Sequence, residues 1–153
     1  MPTHLKSLHR LMYVSKATDF KATRSREVMS SILSSAMRRN KDAGVSGALL
    51  ACDQWFVQAL EGTRMKVGEI YGLVCNDRRH DNIRLIDARP VDTRLFGDWA
   101  MCGETLSAKD AAIVHLLGSR KDLDPNKLTG ASALSLLRIV RKIQSAPKTV
   151  TYL

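Results

Sequence analysis

Hydrophobic and polar positions along the chain change period several times, and each change marks an element. At 9–15, Leu11 and Tyr13 alternate with Met12 and Val14 in the two-residue rhythm of a strand. From 25 to 40, Val28, Ile32, Leu33, Ala36 and Met37 recur at helical spacing, and Gly44 lies just beyond, where a left-handed residue often closes a helix. An apolar run at 45–51, the polar Cys52-Asp53-Gln54 and a second run at 55–60 predict a β-hairpin with a tight connection. Val67, Ile70, Tyr71 and Val74 predict a second helix, opened by Thr63 as a cap and ending near Asp77. Further strands are expected at 83–88 and 98–103, separated by Pro90 and a polar connection. Beyond residue 105 the pattern turns helical, at 108–117 and again at 131–144, where Leu136, Ile139, Val140 and Ile143 form one stripe.

The order β-α-β-β-α-β-β predicts an α+β fold: a ferredoxin-like sandwich whose five-stranded mixed sheet, largely antiparallel, carries two helices on one face. A chain of 153 residues fits one domain with a core of its own. Residues 1–105 are expected to form that domain. Residues 106–153 are read as a C-terminal helical extension packed on it as a cap, because fewer than about 50 residues seldom build an independent core.

Charge changes the picture little. Lys and Arg outnumber Asp and Glu by 24 to 15, a net +9 that permits attraction to nucleic acid, anionic lipid or an acidic protein. The basic residues fall in short groups such as Arg38/Arg39/Lys41 and Arg138/Arg141/Lys142, without the interleaved aromatics of a base-stacking surface. Nucleic acid is therefore a weakly supported partner. The three cysteines, Cys52, Cys75 and Cys102, have no disulfide or zinc spacing and read as reduced thiols. No stretch approaches the roughly 20 apolar residues of a membrane helix, so the expected location is cytoplasmic, without a membrane partner.

Candidate chemistry begins at Gln58. Alternation puts Phe56, Gln58 and Leu60 on one strand face, so an amide stands between two large apolar residues. Buried without partners, it would cost about 1–3 kcal/mol. Tyr13 is a candidate partner. The residues alone leave open whether such a pair locks two strands or faces a ligand. Asn40 serves equally as a helix C-cap or as a ligand contact. Asp77-Arg78-Arg79-His80 reads as a solvated helix end or as a contact for a polar or anionic ligand. Trp99 and Met101 share one face of the last predicted strand, a pattern typical of core packing. No Gly-x-Ser-x-Gly elbow, triad arrangement or dinucleotide-binding glycine fingerprint is present.

Taken in order, these residues resemble the BLUF domain, a family of blue-light sensors that bind FAD. The similar stretches are Leu8-His9-Arg10-Leu11-Met12-Tyr13-Val14-Ser15, Ile32-Leu33 leading to Asn40, Gly44-Val45-Ser46-Gly47, Phe56-Val57-Gln58-Ala59-Leu60-Glu61-Gly62, Asp77-Arg78-Arg79-His80, and Arg94-x-Phe96-x-x-Trp99-Ala100-Met101. The resemblance covers about residues 8–104 and departs at Arg39, where the family commonly has Asn or His, and at Leu73, where a basic flavin contact sometimes stands.

The resemblance implies a photoreceptor with noncovalent FAD and no catalytic output of its own. Tyr13 is implied as electron and proton donor, and Gln58 as the amide joining Tyr13 to the flavin. Asn40 would bond the polar edge of the ring. Ile32 and Phe56 would form its apolar slot, Asp77, Arg79 and His80 would contact its carbonyl side or ribityl chain, and Arg39 would meet a flavin phosphate. Trp99 and Met101 would switch packing and signal through the C-terminal helices to a separate downstream protein or through a homo-oligomer. A flavin-dependent oxidoreductase and a ferredoxin-like nucleic-acid or partner-binding module are the alternative readings.

Overall fold

A computed structural model of the chain describes residues 7–18, 26–106 and 125–146. Its elements run β1 (Leu8–Ala17), α1 (Arg26–Ala43), β2 (Ser46–Cys52), β3 (Trp55–Thr63), α2 (Arg64–Cys75), β4 (His80–Pro90), β5 (Cys102–Leu106), a short 3-10 turn (Pro125–Lys127) and α3 (Gly130–Ser145). The sheet order is β4-β1-β3-β2-β5. The first four strands pair antiparallel, and β5 adds alongside β2 in parallel. This is the expected α+β ferredoxin-like sandwich with a five-stranded mixed sheet, two split β-α-β units interleaved and one strand added. The helix expected at 108–117 lies outside the described residues.

Local chemistry explains where the elements stop. Gly44 takes the left-handed conformation (φ +67°) after α1, and its N–H reaches the Lys41 carbonyl at 3.2 Å. Thr63 Oγ1 accepts from Lys66 N at 3.3 Å, the expected cap of α2. The hairpin turns through Asp53-Gln54, with Cys52 paired to Trp55 and Asp53 at φ 53°, which Asp tolerates better than most residues. Thr129 and Ser132 form a capping box at the start of α3.

Alternation along the strands divides the core into two layers. On one face, Leu11, Tyr13, Leu49, Ala51, Phe56 and Leu60 pack with Met29 and Ala36 of α1 and Val67, Ile70 and Val74 of α2. On the other, Met12, Val14, Leu50, Val57 and Ala59 pack with Phe96 and with Ala133, Leu136, Leu137 and Val140 of α3. The sheet is thus covered on both sides, and β2 is buried along its whole length. Gln144 at the end of α3 donates to Glu104 Oε1 at 2.7 Å, tying that helix to β5.

The last strand differs from expectation. It begins at Cys102, not 98, and residues 97–101 form an irregular arch before it. Consequently Trp99 and Met101 do not share a face. Trp99 packs against the α3 layer and Met101 is buried in the α1/α2 layer. Period-two alternation does not apply to a segment without extended backbone pairing.

Candidate functional site

Tyr13 on β1 and Gln58 on β3 stand directly opposite each other in the antiparallel register. Both point into the α1/α2 layer, where directly opposed side chains meet. The Tyr13 hydroxyl donates to Gln58 Oε1, and both residues are buried. That bond orients the amide, so Gln58 Nε2 faces the other way, toward Met101 Sδ at 3.8 Å. A thioether is a weak acceptor, and the NH2 group keeps a second hydrogen available. A register shift between β1 and β4 falls beside Tyr13, between its pairing with Leu85 and that of Met12 with Asp87. Such a bulge re-aims neighbouring side chains.

Around this pair lies a cleft with about 370 Å³ of space, counting its open mouth, lined by Tyr13, Ile32, Leu49, Phe56, Gln58, Val74, Asp77, Arg79 and His80. Every strand and helix of this face except β5 reaches it. Ile32, Leu49, Phe56 and Val74 give apolar walls, while Gln58 and the turn after α2 give polar groups.

The turn is built as a unit. Asp77 accepts from Arg79 at both carboxylate oxygens, at 3.0 Å from Nε and 2.5 Å from Nη2. These bonds hold the Asp77 carboxyl below its ordinary value and raise the Arg79 guanidinium. His80 Nε2 contacts the Val74 carbonyl at 2.6 Å and must donate there, because a carbonyl only accepts. Its Nδ1 then accepts from the buried Ser15 hydroxyl at 2.7 Å in the neutral ring.

Burial pushes the Tyr13 phenol far above its ordinary value, with the Arg39 charge opposing. Burial lowers the Arg39 guanidinium, and Tyr13 and Asp77 favour its charge. Tyr71 packs beside Tyr13, ring centroids 5.5 Å apart. Burial raises its phenol to about 12.

Of the residues singled out from sequence, Tyr13, Ile32, Phe56, Gln58, Asp77, Arg79 and His80 line the cleft, while Arg39, Asn40, Trp99 and Met101 do not. Arg39 and Asn40 stand at the end of α1, Met101 reaches the site through Gln58, and Trp99 faces the opposite layer. Asn40 is fully buried and donates from Nδ2 to the Ala100 carbonyl at 2.9 Å. Its Oδ1 and Arg39 Nε are buried without a hydrogen-bond partner. Polar atoms left this way ordinarily have a ligand or water as partner.

Sequence reasoning missed Leu49, Val74, Ser15 and the part played by Glu61. Ser15 and Glu61 carried a usable signal, each a polar residue within a buried strand. Arginine use also revises the reading of charge. Arg10, Arg79, Arg89 and Arg94 bond carboxylates or carbonyls within the fold, so part of the basic excess is structural. Among the described residues, no group of three His, Cys, Asp or Glu side chains is placed to hold a metal. No helix among them is long and apolar enough to cross a membrane.

Comparison with known proteins finds that residues 8–102 match the family model described as BLUF, sensors of blue-light using FAD. Photoactivated adenylate cyclase subunit beta of Euglena longa is 32% identical over 95 residues, 62% of this chain and 11% of that protein. Subunit alpha of Euglena gracilis is 33% identical over 94 residues, 61% of this chain and 9% of that protein. The chain therefore matches only about a tenth of these relatives' length. Among solved structures, BlrB, a BLUF protein in its dark state, superposes with a TM-score of 0.67 at 28% identity, covering 92% of this chain and 98% of that one. BlsA in its photo-activated state shares the fold, with a TM-score of 0.72 at 22% identity over 94% and 99% of the two chains.

Proposed function

This chain belongs to the BLUF family of blue-light sensors, and from that premise we propose that its flavin is FAD and that light acts on the protein through Tyr13 and Gln58. BLUF domains bind a flavin and signal to partner or output domains. The observation that carries the reading is the chain of bonds from Tyr13 through Gln58 to Met101 at the edge of an apolar cleft. The residues fit a flavin ring. Ile32, Leu49, Phe56 and Val74 would hold its faces, Gln58 Nε2 and Arg79 have hydrogens to spare for its polar edge, and Asn40 Oδ1, outside the cleft lining, is a buried acceptor without a partner. The open mouth leaves room for the rest of an FAD outside the slot, where Arg39 would meet a phosphate.

The flavin, when bound, supplies the absorption of blue light and the acceptor for an electron. Tyr13 supplies the electron. Its hydroxyl proton would leave along the bond to Gln58 Oε1, and electron and proton would both return to Tyr13, restoring the phenol. Gln58 then settles in a changed hydrogen-bonded form. An amide turned by half a rotation donates to the Tyr13 oxygen and presents Oε1 toward Met101. A thioether has no hydrogen to give. The turned amide therefore loses its bond to Met101 and favours a new position for that side chain. Met101 and Trp99 belong to one short arch that crosses from the cleft to the α3 layer, so displacement of one is transmitted to the other. In this reading residues 106–153 remain an extension of the sensor, a separate downstream protein reads it, and the chain associates with itself.

Absorption spectra before and after blue light, with chromatography of the released flavin, test the proposal. The expected result is FAD and a small, reversible red shift. Gln58→Leu is expected to keep the flavin and lose the shift. A normal shift in that variant removes Gln58 from its role, and release of FMN alone overturns the choice of cofactor. Steady turnover with a nicotinamide donor and no shift would favour an oxidoreductase instead.

A further inference from the structure

Glu61 is fully buried in β3, and the chemistry described above does not use it. Its Oε2 accepts from Arg10 Nε at 2.8 Å and Leu95 N at 2.9 Å, and its Oε1 accepts from Phe96 N at 2.8 Å. Arg94 completes the clamp. It donates to the Glu61 carbonyl at 3.0 Å, to Ser46 Oγ at 2.8 Å and to the Gly44 carbonyl at 2.9 Å. Residues 94–96 are thereby fixed to the starts of β2 and the end of β3. The arch at 97–101 springs from that point and ends where β5 joins β2. Within it, Trp99 N donates to the Phe96 carbonyl at 3.2 Å, the Trp99 carbonyl accepts from Gly47 N at 3.3 Å, and the Ala100 carbonyl accepts from Asn40.

The carboxylate is chemically specific. All three of its partners are donors, so only a group that accepts at both oxygens satisfies them. A glutamine of the same shape would set an NH2 against at least one N–H. A buried carboxylate with three charge-assisted bonds is also stiffer than a contact between apolar side chains.

We propose that Glu61 is a positioning residue for light signalling: with Arg94 it fixes the root of the 97–101 arch, so that a change at Gln58 becomes a repacking of Trp99 against α3. This rests on the reading of Gln58 as the light-responsive group. Without the fixed root, the displacement of Met101 dissipates in a loosened β4–β5 connection. The dark pair Tyr13–Gln58 does not touch the clamp and keeps its geometry.

The test uses flavin-loaded protein labelled with carbonyl-13C alanine and 15N methionine. The chain has Ala-Met peptide bonds at Ala36–Met37 and Ala100–Met101 only, so a carbonyl–nitrogen correlation reports the arch, with α1 as internal control. In the wild type, blue light should move the Ala100–Met101 signal and leave Ala36–Met37 in place. In Glu61→Gln the red shift should persist while the Ala100–Met101 signal broadens or splits in the dark, its light response shrinks, and dark recovery quickens at least about threefold. Arg94→Ala, a change at an exposed side chain, should give the same signature in weaker form and decides the matter if Glu61→Gln does not fold. Wild-type arch signals and recovery in either folded variant overturn the proposal. Absence of a red shift in the wild type overturns the underlying reading of Gln58 instead.

Discussion

Gln58 is held on both sides by groups of unequal strength, a phenol donating to its oxygen and a thioether accepting from its nitrogen. That inequality gives the amide a preferred orientation and a second one that is accessible when Tyr13 changes. Asp77 shows the opposite condition, a carboxylate held rigidly by one arginine at two oxygens. Its folded pKa is depressed, first by the Arg79 hydrogen bond. A depressed carboxylate contributes stability that is fully present above the unfolded pKa, about 3.9, and is lost as pH falls through the lower folded value. Asp77→Asn should therefore reduce stability at pH 7 and flatten its loss below pH of about 4. Urea midpoints at pH 7 and in the acid range check this. Parallel acid profiles for wild type and variant would show that the Asp77–Arg79 pair contributes nothing. The Gln58 amide was visible in the strand alternation, whereas its orientation depends on Tyr13 and Met101, 45 and 43 residues away.

At the scale of elements, β2 and the arch approach so closely that side-chain volume decides the geometry. A Cβ at Gly47 would collide with the Ala59 carbonyl oxygen and reach 3.1 Å from Met101 Cε. Backbone cannot yield there without breaking the β2–β3 ladder. A Cβ at Gly103 would lie 2.7 Å from Leu33 Cδ2, the end of a flexible side chain on partly exposed helix surface, and its nearest backbone atom, the Leu49 carbonyl oxygen, would be 3.3 Å away. Gly47→Ala is expected to destabilise by about 2–3 kcal/mol and to alter the light response through Met101, and Gly103→Ala by under about 1 kcal/mol. Chemical denaturation compares them, and equal losses would contradict the distinction. The elements themselves were legible because period and caps are local. The strand expected at 98–103 was not, because alternation in a short apolar stretch is the same in a paired strand and in an arch held by side chains.

At the scale of the whole molecule, the sheet separates two cores that meet at the arch. The cleft lies in one and α3 in the other. A signal starting at Gln58 reaches α3 most directly through residues 97–101 and through Gln144 on Glu104. Hydrogen exchange should therefore rise on illumination in α3 and in 97–106, while β1 and β3, at the centre of the sheet, stay protected. Faster exchange confined to α1 and α2, alongside a normal red shift, would place the output on the other face.

Sequence by itself determined the periods, the caps at Thr63 and Gly44, the order of elements, and the presence of an amide and a phenol on apolar strand faces. Those properties depend on neighbours a few residues apart. Only the tertiary structure decided that Met101 turns to Gln58 while Trp99 turns to α3, that Asn40 reaches Ala100, and that Glu61 binds Leu95 and Phe96 across 34 and 35 residues. These are properties of chain crossings, where hydrogen-bond donors from separate segments converge on one buried acceptor. Periodicity within a segment carries no information about such crossings.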